Sequence, residues 1–204
     1  MSSRRVSTST DIALIAGFAA LIAACALLPG ITVGASGVPI TLQTFGVLLA
    51  GAVLGATRGF LAVALYVVVG LAGLPIFSGG TAGVAVLSGP SVGYLLAFAP
   101  AAFLCGFIVE RLPRHKLATS VPLIFLAGWV SSLLLIHTLG IAGLVVRLDL
   151  SWSAAFVVDL AYWPGDIAKN LAMALVATAV HRAFPDLLGR RTTDPQQRET
   201  APAA

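Results

Sequence analysis

Asp166 and Lys169 stand three residues apart in YWPGDIAKNLAMALVATAV, a segment apolar enough to cross a bilayer. An ionisable side chain in such a segment costs roughly 2.5–3.5 kcal/mol on insertion scales, so it faces a cavity or a partner. Pro164 suits the first turn of a helix, where its missing N–H leaves no bond unmade. Asp166 then falls in that turn, where the helix dipole favours a carboxylate. Lys169 at i+3 shares its face, ~4.5 Å further along the axis. Two uses fit. One is a structural ion pair at the membrane interface, with Lys169 snorkelling outward. The other is a paired donor and acceptor at the mouth of a helix bundle, shaped for a small ligand offering both N–H and oxygen groups. Asn170 adds a polar group at a different angle and ranks lower.

The elements that must position this pair follow from composition. Of 204 residues, 58% are hydrophobic and 10% charged, and mean hydropathy is +0.99. Soluble domains carry about 25% charged residues, so the chain is a polytopic membrane protein. Six apolar stretches read as spans: approximately 11–29, 41–57, 59–74, 92–110, 120–141 and 164–183. This predicts an all-α fold with a six-helix transmembrane domain over residues 11–184. A polar tail precedes it at 1–10, and a tail at 185–204 is too polar to order itself. The second and third spans, joined by Ala56-Thr57-Arg58-Gly59, form a tight helical hairpin.

Charge sets the orientation. With the N-terminus in the cytoplasm, the cytoplasmic segments hold Arg4, Arg5, Arg58, Arg111, Arg114, Lys116, Arg182, Arg190, Arg191 and Arg198. The opposite side holds only Arg147, with Lys169 left in the membrane. That asymmetry obeys the positive-inside rule and returns the C-terminus to the cytoplasm of a bacterial cell (inner) membrane. A competing reading takes Ile22-Ala23-Ala24-Cys25 as a processing site, which would remove the first span and break the asymmetry. The pI near 9.6 does not indicate nucleic acid, because the basic residues form no stripe interleaved with aromatics.

Two external connections differ from solvated loops. Residues 29–43 and LPIFSGGTAGVAVLSGPSVGY (74–94) are apolar, nearly uncharged and rich in Gly and Pro. Such loops fold back onto the helix ends, either as simple packing or as lids over a cavity on the side where Asp166 and Lys169 open. In the first span, Ala16, Ala20 and Ala24 repeat at i+4 with Ala13 and Gly17 beside them. That smooth stripe suits close helix approach, within the bundle or against a partner membrane subunit.

Catalytic signatures are missing. There is no P-loop, HExxH or GxSxG, and Cys25 and Cys105 have no metal-ligand spacing. His137, within the fifth span, reads as a helix–helix hydrogen bond rather than a ligand. No enzyme activity, metal or cofactor is expected, and any ATP hydrolysis must come from another chain.

Four blocks in order, VPITLQTFGVLLAGAVLG, GLAGLPIFSGGTAG, GPSVGYLLAF and PGDIAKN, resemble BioY. BioY is the biotin-specific substrate-binding (S) component of energy-coupling factor (ECF) transporters. The resemblance spans about residues 12–183. It implies six helices with both termini cytoplasmic, biotin captured near the external face beneath the loops 1–2 and 3–4, and delivery to the cytoplasm. It implies docking of the alanine-rich first helix on a membrane coupling subunit attached to paired ATPases. Whether the protein acts alone, as a homo-oligomer or only with that module stays open.

The resemblance also implies roles. Asp166 takes the ureido N–H groups and Lys169 an oxygen of biotin. Gln43 is a further polar contact, with Thr41 and Thr44 beside it. Phe77, Gly79 and Gly80 match the region closing over the bicycle, and Tyr94 reaches toward the valerate carboxylate. Ser78-Gly79 departs from relatives with a longer polar side chain there, which makes that contact a backbone one. A different small vitamin, or an assembly protein using Asp166–Lys169 as a staple, are the other readings.

Overall fold

In a bilayer only a helix satisfies its own backbone along its whole length, and every predicted span is helical. The structure, a computed structural model, describes residues 8–32, 36–117 and 119–188; most of the two predicted tails, 1–7 and 189–204, lies outside them. The chain runs through α1 (Thr8–Leu27), α2 (Gln43–Leu54), α3 (Ala56–Leu71), α4 (Val92–Arg111) and a single turn α5 (Arg114–Leu117). It continues through α6 (Val121–Ser131), a π-helical stretch Ser132–His137, α7 (Thr138–Leu148), α8 (Trp152–Leu160) and α9 (Trp163–Ala183). The fold is an all-α bundle. Three helices among the described residues are long and apolar enough to cross a membrane: Thr8–Leu27, Val92–Arg111 and the continuous Val121–Leu148. Helices α2 and α3 are apolar but shorter, and α9 runs 21 residues with the ion pair in its first turns.

Two features depart from the sequence reading. The fifth span does not stop near residue 141 but runs 28 residues to Leu148. Gly140 and Gly143 are contact points along this span. A Cβ on Gly143 would stand 2.8 Å from the Gly93 nitrogen, and one on Gly140 would strike the Tyr94 ring. After it comes α8, where no element was expected; Ser151 caps it by accepting the Ala154 N–H at 3.2 Å. Its side toward solvent or lipid exposes Trp152, Phe156, Val157 and Leu160, while Asp159 is fully buried. In the first external connection, β1 (Ile31–Thr32) pairs antiparallel with β2 (Pro39–Ile40), a two-residue ladder within an otherwise helical protein.

Helix packing rests on small residues, as it must where lipid offers side chains the same apolar surroundings as a neighbour does. Ala50, Ala52, Ala62, Ala97, Ala101 and Ala102 are all fully buried. A Cβ on Gly59 would lie 2.7 Å from the Gly51 Cα, so α2 and α3 meet backbone to backbone in the expected hairpin. Its joint is Gly55, at φ 86° and ψ −178°, a region essentially closed to other residues. Glu110 from α4 accepts the Ala56 N–H at 2.9 Å there, capping α3.

Arg58, just after this joint, donates to Asp11 of α1 at 3.0 Å and to the Leu187 carbonyl at 2.5 Å. The start of α1, the α2–α3 joint and the end of α9 therefore gather at one end of the bundle. Residues 185–188 form a turn, with Leu187 and Leu188 packed against the core, so the polar tail starts later than residue 185.

Gly55→Ala should destabilise the detergent-solubilised protein by about 1–3 kcal/mol, from strain at a glycine-only φ/ψ. Thermal unfolding measures it, and an unchanged midpoint would contradict this account of the joint.

Candidate functional site

At the end of the bundle opposite Arg58, a cavity of about 470 Å³ lies between the α1–α2 and α3–α4 connections and the heads of α2, α4 and α9. Both lids are pinned rather than merely draped. Phe77 is 3% exposed; its ring meets Tyr66 edge-on at 5.5 Å between centroids and occupies the space a side chain on Gly70 would need. Burying such a ring contributes about 1.5–3 kcal/mol. The Gly83 N–H donates to the Gly70 carbonyl at 2.8 Å, fastening the same lid to α3. In the other lid, Ser36 and Tyr162 share a hydroxyl–hydroxyl bond of 2.8 Å. Burial raises the Tyr162 phenol above its ordinary range, while the Ser36 hydrogen bond works the other way.

The polar floor belongs to α2 and α9. Lys169 Nζ lies 2.5 Å from Asp166 Oδ1 and donates to the Thr41 carbonyl at 3.0 Å. Thr44 adds a hydroxyl donor to Asp166 Oδ1 at 3.1 Å. Both charges are largely withdrawn from solvent, at 13% and 9% side-chain exposure. One carboxylate oxygen thus takes the lysine and the threonine, and among the described residues none donates a hydrogen bond to Oδ2. Gln43 is held from behind: its Nε2 donates to Tyr66 at 2.6 Å, and Tyr66 donates to the Ile76 carbonyl at 3.2 Å. That chain couples α2, α3 and the second lid.

A second polar cluster sits behind α9. Asp159 of α8 is 0% exposed and accepts from three side chains. Tyr94 donates to Oδ1 at 2.8 Å, Trp163 Nε1 to Oδ2 at 3.0 Å, and His137 Nδ1 lies 2.8 Å from Oδ2. A buried carboxylate survives only when its lone pairs are answered in this way. His137 is therefore the interhelical hydrogen bond expected of it, with α8 as its partner.

Every residue singled out for ligand contact lies at this end of the bundle, and all but one line the cavity: Asp166, Lys169, Gln43, Thr41, Thr44, Tyr94, Phe77 and Gly79. Gly80 does not; it is exposed, with φ +72° and open space where a Cβ would stand. Tyr94 presents its ring, but its one proton is committed to Asp159, so its hydroxyl has none left for a ligand carboxylate. Asn170 turns away, donating to the Phe125 carbonyl at 2.8 Å. The sequence reading missed Asp159, which sits in a segment taken as a connection, and Tyr66 and Tyr162, whose hydroxyls fix the lids. Ala16, Ala20 and Ala24, with Ala13 and Gly17, form an exposed stripe on α1 rather than a packed one.

The BioY family model matches residues 1–186. The biotin transporter BioY of Rhizobium etli is 38% identical over 185 residues, covering 90% of this chain and 99% of that protein. The one from Rhodobacter capsulatus is 40% identical over 187 residues, covering 87% and 96%. Among solved structures, the chain resembles the 2.1 Å crystal structure of the S-component for biotin from an ECF-type ABC transporter. The TM-score is 0.79 at 25% identity, covering 87% of this chain and 95% of that one.

Lys169→Met leaves the buried Asp166 charge without its cation and should destabilise the protein by about 3–5 kcal/mol. Adding Asp166→Asn to the same chain removes the uncompensated charge and should recover part of the loss. Thermal unfolding of the single and double variants checks this; a double variant no more stable than Lys169→Met would contradict it.

Proposed function

Because the chain belongs to the BioY family, we propose that it captures biotin in this external cavity and delivers it to the cytoplasm as the substrate-binding component of an ECF-type transporter. The observation that carries the reading is the Asp166–Lys169 pair, largely buried and lining a lidded cavity. Biotin's ureido ring offers two N–H donors and a carbonyl oxygen, beside an apolar thioether ring. A carboxylate with an unused oxygen, next to an ammonium, matches that set of groups in a pocket whose apolar lining includes Phe77, Leu95, Phe98 and Ile136. The cavity falls within the range of about 300–1,000 Å³ usual for small-molecule sites. Gln43, Thr41 and Thr44 supply further polar contacts. Gly79 and Ser78 offer backbone groups from the lid, which suits a chain lacking a longer polar side chain there.

Transport needs machinery this chain does not carry. The exposed Ala16/Ala20/Ala24 stripe supports docking on a membrane coupling subunit attached to ATPases. With the lids facing outward, both termini lie in the cytoplasm of the cell membrane, where Arg58, Arg111 and Lys116 meet the positive-inside rule. Six membrane crossings give that arrangement, with α2 and α3 as a short hairpin.

Equilibrium binding of labelled biotin to the purified chain tests the site. Wild type should bind, while Asp166→Asn and Lys169→Ala should each weaken binding at least about tenfold, as for loss of a charged hydrogen bond. Folded variants that bind like wild type would leave the pair as a staple. The docking surface has its own readout: Ala20→Trp should keep biotin binding but lose ATP-dependent uptake in cells supplying the coupling module. Unchanged uptake would move the contact elsewhere.

A further inference from the structure

Three features of the buried cluster are unaccounted for by a role in folding alone. His137 is 2% exposed, and its Nε2 has no hydrogen-bond partner although it is fully enclosed. That atom points at the site: it lies 3.7 Å from Asp166 Oδ2, the carboxylate oxygen that neither Lys169 nor Thr44 engages. The imidazole also stands where the helix is π-wound, at the end of Ser132–His137, with Trp129 and Trp163 against its ring at 6.1 Å and 5.6 Å between centroids. A π-turn in an α-helix re-aims one side chain and is frequent at functional sites. Here it aims His137 between two carboxylates, each from a different helix.

We propose that Asp159 and His137 are positioning residues for Asp166. Asp159, itself fixed by Tyr94 and Trp163, accepts the Nδ1–H of His137, and the ring, held as an imidazolium between two carboxylates, presents its Nε2–H to Asp166 Oδ2. That contact closes by under ~1 Å to normal hydrogen-bond length and sets the direction in which the carboxylate offers its remaining lone pairs to the ligand's N–H groups. A carboxylate that fixes an imidazole through one nitrogen directs what the other nitrogen offers to a functional side chain. His137 does not line the cavity, so it acts through Asp166 and not on the ligand. The inference rests on the proposed role of Asp166 as the acceptor for biotin.

Side-chain geometry gives a clean test. The amide nitrogen of Gln occupies the place of Nε2, three bonds from Cβ, whereas that of Asn occupies the place of Nδ1, two bonds from Cβ. His137→Gln therefore keeps the donor toward Asp166 and drops the one toward Asp159; His137→Asn does the reverse. Labelled-biotin binding to the full-length variants in detergent should give near-wild-type affinity for His137→Gln and a loss of at least about tenfold for His137→Asn, with thermal unfolding recorded for both. A role confined to bracing Asp159 predicts the opposite order. Equal affinities, or tighter binding by His137→Asn, overturn the proposal while leaving Asp166 as the acceptor if Asp166→Asn still loses biotin. An Asp166→Asn protein that binds like wild type removes both readings together.

Discussion

A carboxylate and an ammonium cannot stay in an apolar bundle unless each is answered, and most of the external half of this protein can be derived from that constraint. Lys169 is held by Asp166 and by the Thr41 carbonyl; Asp166 by Lys169 and Thr44. Of the two partners on the α2 side, Thr41 ends the first lid and Thr44 lies in the first turn of α2. Neutralising the pair therefore also fixes where the lid meets α9. The cavity exists because these groups are placed at helix heads, where no packed side chain fills the space above them.

The same economy governs the second lid and the rear cluster. Gln43, Tyr66 and the Ile76 carbonyl form one chain of donors and acceptors across α2, α3 and the loop. Asp159 gathers a tyrosine, an indole and an imidazole from α4, α9 and the end of the π-wound stretch. Each of these two networks thus ties three elements together. Apolar packing does the rest: glycines and alanines bring α2, α3 and α4 to backbone contact, which leaves a rigid frame beneath lids pinned by Phe77 and Tyr162.

How far the sequence revealed this depends on whether a residue's meaning was local. Asp166 and Lys169 were legible because charge inside an apolar segment is anomalous by itself and their spacing fixes one face. Pro164 marked the start of α9 for an equally local reason, and the apolar lids stood out against the polar loops of the other side. Asp159 was invisible: a carboxylate in a connection between spans is ordinary until Tyr94 and His137 converge on it from distant helices, beside the local Trp163. The extension of the fifth span to Leu148 was lost because Gly140 and Gly143 signal helix weakness in sequence but close contact in the fold. Tyr94 was placed on the cavity by its block, yet only tertiary contact reveals that its proton goes to Asp159. Gly80 shared the lid motif without reaching the cavity.

The account's central claim is that the Asp166–Lys169 pair, under its two lids, is the ligand site of this chain. An experimental structure of the purified protein with biotin tests it most directly. The account predicts the ureido ring within hydrogen-bond distance of Asp166 and Lys169, with Phe77 closing above it. Biotin bound elsewhere, with the ion pair turned away from it, would contradict the account and return the pair to a structural role.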